Sequence, residues 1–356
     1  MTYYKSALLA AIVPLLLSRA AAAQNGAVRY PPPEQVRADF LKLLDRPRVD
    51  PKPDFTSEAE GDLTVQRGAF FSEPNEKVPT VIVKQTGRSG RLPVVVSLHG
   101  TGGNKDSRAD LLRQLARRGY LAVAIDARYH GDRVPGGADG SRQYNEAVIA
   151  AWRAKPGAKR EYPFWYDTAY DLWRTVDYLV TREDVDSGRI GMMGFSMGGV
   201  EIWLAASVDP RVKVSIPVIA VQSLRWSLDN ERWQGRARTI ASAHAAAARD
   251  LGEPGVNQHV ARVLWNKIMP GILDEFDGPS MIRLFAPRLL LILNAENDPN
   301  CPLPGAELAF AEARAAYAAA GALDRLRIFV APGAGHEVTP EHLRLGQEWL
   351  DRWLQP

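Results

Sequence analysis

The segment Gly194-Phe195-Ser196-Met197-Gly198 constrains this chain more than any other. It follows Arg189-Ile190-Gly191-Met192-Met193, which reads as a short buried strand, and it leads into an apolar helix over residues 198–206. A serine between glycines at a strand-to-helix junction sits on a turn too tight for neighbouring Cβ atoms. Its hydroxyl is held out at the end of the sheet, and the helix N-terminus points free N–H groups at whatever reacts there. The competing reading is a glycine-rich turn with a solvated serine. It requires the flanking elements and the downstream partners to be coincidental.

From residue 92 the chain alternates strand and helix. Leu92–Leu98 and Tyr120–Asp126 are continuous apolar runs, as strands buried on both faces should be. Amphipathic helices are expected over Arg108–Arg118 and Asp167–Thr181, and further strands over Val212–Ala220, Arg288–Leu293 and Arg325–Val330. Helices near Ala306–Ala320 and over His342–Leu354 complete the pattern. The expected fold is α/β: a mostly parallel twisted sheet with helices on both faces. A hairpin, near Leu63–Phe71 and Pro79–Lys84, leads into it. Residues 128–163 read as a long polar loop carrying Trp152. Residues 222–286 are too many for a structureless connection, and with Trp226, Trp233 and Trp265 they read as a helical lid insertion.

The N-terminus reads as a signal peptide over residues 1–23: Lys5, the apolar run Ala7–Leu17, then Ala21-Ala22-Ala23 as an A-x-A cleavage site. The run is too short to span a bilayer comfortably, so export to a periplasm or to the outside is expected, with no membrane span after cleavage. Residues 24–60 read as a helix (Glu34–Leu44) and a Pro-rich extended linker, and residues 61–356 as the α/β domain. The net charge of +3 on 356 residues makes no case for nucleic acid. Cys301 is the only cysteine, so no intrachain disulfide exists.

A serine hydroxyl needs a base, and the base needs an orienting acid. The chain offers both in the order Ser, Asp, His. Asp298 follows the apolar run Leu289–Leu293, and His336 follows Leu326–Val330 in Pro332-Gly333-Ala334-Gly335-His336. Both lie just past strand C-termini, where a parallel sheet gathers its site. Glu296 is the rival acid, two residues before Asp298. The oxyanion donors are expected to be the amides of Met197 and of Thr101, the latter in His99-Gly100-Thr101-Gly102-Gly103. That loop lacks the ending of a P-loop, and no dinucleotide fingerprint follows a strand elsewhere. The stretch Asp126–Arg133 lacks the ligand spacing of a zinc motif and reads as a hydrogen-bonded brace. Cys301 reads as a packing residue.

These residues together resemble the α/β-hydrolase superfamily, from about residue 63 to the end. The carriers are His99-Gly100-Thr101-Gly102-Gly103, the Ser196 turn, Asn297-Asp298-Pro299 and Gly335-His336. Within it the chain is similar to the dienelactone hydrolase, acetyl xylan esterase and prolyl oligopeptidase-like branch, where Arg182-Glu183-Asp184-Val185-Asp186-Ser187-Gly188-Arg189 before the turn is typical. The resemblance implies acyl transfer by Ser196, His336 and Asp298, no cofactor or metal, and a lid after the sixth strand. Dienelactone hydrolases proper carry a cysteine where this chain has Ser196. The peptidase branch carries an N-terminal propeller, for which the residues before the first central strand are too few.

The expected activity is that of an exported serine hydrolase of carboxylic esters, acting on a small-molecule ester. Trp226, Trp233 and Trp152 are the expected substrate-binding residues. A serine peptidase or amidase of the prolyl oligopeptidase-like type is the alternative. A binding protein on this fold ranks third, since no member of the Ser-Asp-His set is missing.

Overall fold

The apolar runs become the middle of a sheet built from β1 (Asp54–Glu60), β2 (Leu63–Glu73), β3 (Glu76–Gln85), β4 (Leu92–Leu98), β5 (Leu121–Ile125), β6 (Val185–Phe195), β7 (Val212–Val218), β8 (Leu289–Ala295) and β9 (Leu326–Ala331). The computed structural model describes residues 29–135, 140–155 and 161–356; the signal peptide expected over residues 1–23 lies outside them. Among the described residues the strand order is β1-β2-β3-β5-β4-β6-β7-β8-β9. The pairs β1–β2, β2–β3 and β3–β5 are antiparallel, and every pair from β5 across to β9 is parallel. The fold is α/β, as the alternation predicts.

Strand periodicity divides the core between the two faces. On β4, Val94, Val96 and Leu98 join one apolar cluster with the helices Pro33–Leu43, Tyr166–Leu179, Met197–Val208 and Leu303–Ala319. Val95 points the other way, into a cluster with Ala109–Arg117 and Pro340–Leu354. Each fully buried Val, Leu or Ile contributes about 1.5–3 kcal/mol relative to exposure. The last helix starts on a capping box: the Thr339 hydroxyl accepts from His342 N, and the Thr339 N–H donates to the His342 ring.

Two expectations need correction. Residues 54–60, read as part of an extended linker, are the edge strand β1. Its composition, Asp-Phe-Thr-Ser-Glu-Ala-Glu, carries almost no apolar alternation because only Phe55, stacked on Tyr178, is partly buried. Pairing with β2 through the turn at Gly61 (φ +62°) makes it a strand instead. The polar loop 128–163 holds a short 3₁₀ turn, Gly131–Arg133, and a full helix, Gly140–Arg153. Tyr144, Val148 and Trp152 are buried at four-residue spacing along that helix. The signal was present in the sequence, but lay beneath a polar average.

Residues 222–286 are helical, as expected, but in short pieces: Leu224–Asp229, Gln234–Arg238, Ala241–Asp250, Gln258–Ile268 and Gly278–Ile282. The two ends of this excursion are clasped. Asp277 accepts from Leu224 N (2.7 Å) and from the Ser223 hydroxyl (2.5 Å). A Cβ at Gly278 would stand 1.9 Å from Gln222 O. The excursion therefore leaves the C-terminal end of β7 and returns beside it at Gly278, from where residues 278–288 run back to the start of the parallel strand β8.

Candidate active site

The Ser196 turn is built by close backbone contacts. Ser196 has φ +52° and ψ −112°, a conformation an L-residue holds only when its surroundings impose it, at a cost of order 1–3 kcal/mol. Ser196 N donates to Val218 O at 2.9 Å, and Val200 N donates to Ser196 O at 3.0 Å. A Cβ at Gly194 would meet Gly198 O at 2.3 Å, and one at Gly198 would meet His99 O at 2.4 Å. The glycines are there because strand, helix and the His99 loop share this space.

Three loops converge on the serine. Its Oγ lies 2.7 Å from His336 Nε2, and His336 Nδ1 lies 2.8 Å from Asp298 Oδ2. With the serine hydroxyl donating to Nε2, Nδ1 carries the proton and donates to Asp298; this tautomer follows from the bonding pattern. The Asp298 side chain is fully buried, and its second oxygen accepts from Asn300 N (2.7 Å) and Cys301 N (3.0 Å). Those two backbone N–H groups satisfy the carboxylate oxygen that the His336 ring does not use. The structure places Glu296 elsewhere: its Oε2 accepts from Gly333 N at 2.7 Å. Along with Asn297 N to Ala334 O (2.8 Å), that bond ties the Asp298 loop to the His336 loop.

The two expected oxyanion donors flank the serine. Met197 opens the helix behind it, where the first N–H groups have no intrahelical acceptor. Thr101 and Gly100 line a chamber of about 320 Å³ with Ser196, His336, Arg108, Phe195, Ile219, Thr239 and Asn300. The Thr101 loop is held by the His99 ring, whose Nδ1–H donates to Gly100 O (2.8 Å) and whose Nε2 accepts from Ala127 N (3.1 Å). Burial and the neighbouring His130 push the His99 pKa down to about 3, so the ring is neutral and can do both.

Sequence reasoning missed several groups around the site. Arg108 stacks on the Phe195 ring at 4.4 Å, and desolvation lowers its pKa. Arg236 is buried beneath the acid loop and donates to Asn300 O (3.2 Å) and Cys301 Sγ (3.1 Å). Glu201, on the helix after the serine, is buried with one oxygen lacking a partner; burial raises its pKa well above the carboxylate range. No motif marks any of the three. Cys301 is fully buried, and burial together with Asp298 raises its thiol pKa, so it is inert packing. The Asp126 loop is a brace: Asp126 accepts from Lys105 N (2.7 Å), Lys105 Nζ (3.1 Å) and Asp132 N (2.9 Å).

The three tryptophans do not gather at Ser196. Trp233 is 5% exposed and donates its indole N–H to Glu231 (3.1 Å). Trp152 is 8% exposed, donates to Asp250 (3.0 Å), and lies under Lys267. Both fill core. Trp226 is half-buried and lines a second chamber of about 770 Å³ beside the Asp298 loop. From the excursion, Thr239 is the residue that lines the Ser196 chamber.

Residues 78–244 match the dienelactone hydrolase family. YtaP of Bacillus subtilis (strain 168), named only provisionally as a hydrolase, is 28% identical over 79% of this chain and 85% of its own length. Among solved structures, acetyl xylan esterase 1 from Thermoanaerobacterium sp. JW/SL YS485 superposes with a TM-score of 0.66 at 19% identity, covering 92% of this chain and 96% of that one. An acetyl xylan esterase from Paenibacillus sp. R4 gives 0.61 at 21% identity, over 90% and 92%. At these identities the structures establish a shared fold.

Proposed function

We propose that this chain is an α/β-hydrolase that cleaves carboxylic esters through an acyl-enzyme on Ser196. The observation that carries this reading is the continuous bond from Ser196 Oγ through His336 to Asp298, at 2.7 and 2.8 Å. Ser196 Oγ attacks the ester carbonyl while its proton passes to His336 Nε2. The Asp298 carboxylate holds Nδ1–H and stabilises the imidazolium. The amides of Met197 and Thr101 receive the oxyanion; removing one such donor typically costs about 10²–10³ in kcat. His336 returns the proton to the leaving alcohol. Water then repeats the sequence to free the acid and restore the serine.

The named activities of the structural neighbours, acetyl xylan esterases among them, favour esters over amides. The helical excursion supplies Thr239 to the Ser196 chamber and acts as the lid. The A-x-A leader supports an exported enzyme, checked by finding Gln24 at the mature N-terminus; among the described residues no helix is long and apolar enough to cross a membrane.

A fluorophosphonate probe should label Ser196, with label mapped by peptide mass. A panel of 4-nitrophenyl esters should turn over while aminoacyl 4-nitroanilides do not. Ser196→Ala should lose labelling and roughly 10⁴-fold or more of kcat. Labelling of a different serine, or anilide turnover exceeding ester turnover, overturns the reading.

A further inference from the structure

Arg236 is 2% exposed, yet among the described residues it makes no ion pair. A guanidinium is rarely buried without a carboxylate against it, because burial strips its hydration. Here the guanidinium lies 5.4 Å from the centroid of the Trp165 ring. Its Nη2 donates to Asn300 O (3.2 Å) and Cys301 Sγ (3.1 Å), and its Nε has no partner. None of these neighbours is an anion. The thiol is neutral, since burial and then Asp298 raise its pKa, and it donates on to Ile219 O at 3.3 Å.

A carboxylate stands one peptide further on. Asn300 C=O and Cys301 N–H are the two ends of a single peptide unit. Arg236 donates to the carbonyl end, and the N–H end donates to Asp298 Oδ1 at 3.0 Å. Asp298 Oδ2 in turn accepts from His336 Nδ1 at 2.8 Å. The sequence of bonds from guanidinium through peptide, carboxylate and imidazole to the serine is unbroken. A cation on a carbonyl polarises the peptide and strengthens the bond its N–H gives, the more so where water does not screen it. Gln222 Nε2 shares that carbonyl at 2.6 Å but carries no charge. Gly235 sets the arginine in place: a Cβ there would stand 2.1 Å from Pro299 O, so the helix Gln234–Arg238 lies directly on the Asp298 loop.

We infer that Arg236 is a positioning residue for Asp298: its charge, relayed by the Asn300–Cys301 peptide, fixes the carboxylate that orients His336. The helical excursion thereby acts on the reaction itself as well as on the wall of the Ser196 chamber. The effect on rate rests on the ester-hydrolase reading; the polarised peptide does not.

Cys301 is the only cysteine, so isotopic labelling of cysteine nitrogen gives one amide cross-peak by NMR, that of the relaying peptide. Arg236→Gln keeps a donor and removes the charge; Arg236→Lys keeps the charge. In Arg236→Gln the cross-peak should move upfield in the proton dimension, since its N–H is less polarised. The kcat for 4-nitrophenyl acetate should fall about tenfold or more at unchanged KM, the scale of a charged hydrogen bond. Arg236→Lys should recover most of both. Arg236→Met is the neutral variant to use if Arg236→Gln does not fold, and melting temperatures are read for each. In an Asp298→Asn background Arg236→Gln should change kcat by no more than about twofold, because its route to His336 has gone. Losses that multiply in the double variant, an Arg236→Lys no better than Arg236→Gln, or a cross-peak indifferent to the charge overturn the inference. A cross-peak that responds in a protein that hydrolyses no ester leaves the polarised peptide standing and removes the hydrolase reading.

Discussion

Asp298 and Glu296 leave the same loop and end in different places: Asp298 accepts from His336 Nδ1 at 2.8 Å, whereas Glu296 accepts from Gly333 N at 2.7 Å. The first bond sets the tautomer of the base. The second holds together the two loops that carry acid and base. Two carboxylates on one turn thus have separable functions.

Asp298→Asn should therefore keep the fold and lose about 10⁴ in kcat, since an amide can hold the ring in the wrong tautomer. Glu296→Gln keeps an acceptor for Gly333 N and should lose less than about tenfold. Steady-state rates on one 4-nitrophenyl ester decide it. A larger loss in Glu296→Gln reverses the assignment.

Much of this was legible because it is written in local patterns. The Ser196 turn, the buried strands around it and the loops at Asp298 and His336 announce themselves through glycine spacing and continuous apolar runs. What stayed hidden depends on tertiary contact. Edge strand β1 is exposed apart from Phe55 and exists through its pairing with β2. Trp152 and Trp233 are large aromatics in irregular segments, and composition cannot tell a core plug from a pocket wall. Arg236 reaches Asn300 and Cys301 across more than sixty residues of chain, a distance no motif spans.

Backbone crowding at the turn makes a sharp test. Gly198→Ala puts a Cβ 2.4 Å from His99 O and 2.5 Å from Leu98 O, both main-chain atoms that cannot swing aside. It should destabilise by about 1–3 kcal/mol or more and abolish fluorophosphonate labelling. Gly255→Ala meets nothing within 4 Å and should stay within about 0.5 kcal/mol of the parent. Denaturant melts with parallel labelling read both effects.

Acid should loosen the oxyanion loop. His99 is held at a pKa of about 3 and His244 at about 4, in each case by burial, against 6.5 for the free ring. Below pH 6.5 the unfolded chain takes up protons that the folded rings refuse, so stability falls with falling pH. The loss is about 1.4 kcal/mol per pH unit for each ring, and it continues down to about pH 4 for His244 and pH 3 for His99. His99→Gln removes one of these protons. Its stability between pH 6 and 4 should have a slope shallower by that amount in urea titrations, and an unchanged slope refutes the linkage.

Glu201 works in the opposite direction. Its carboxyl is buried on the helix behind Ser196, takes a hydrogen bond from the Thr168 hydroxyl, and leaves one oxygen without a partner. Burial raises its pKa, and Asp171 nearby adds to the effect. The folded state therefore keeps a proton that the unfolded chain releases above the ordinary carboxylate pKa. By linkage, the contribution is fully present in acid and is lost as pH rises toward the folded-state value. An amide is the neutral mimic of that protonated acid. Glu201→Gln should match the parent in melting temperature near pH 5 and exceed it at pH 8, with the gap widening as pH rises. Because the residue faces the core and not the Ser196 chamber, the gain should come with fluorophosphonate labelling of Ser196 intact. A variant less stable than the parent at pH 8 would mean that the carboxylate is ionised in the native protein and paired with a buried cation, for which Arg133, whose charge already favours the ionised form, is the candidate.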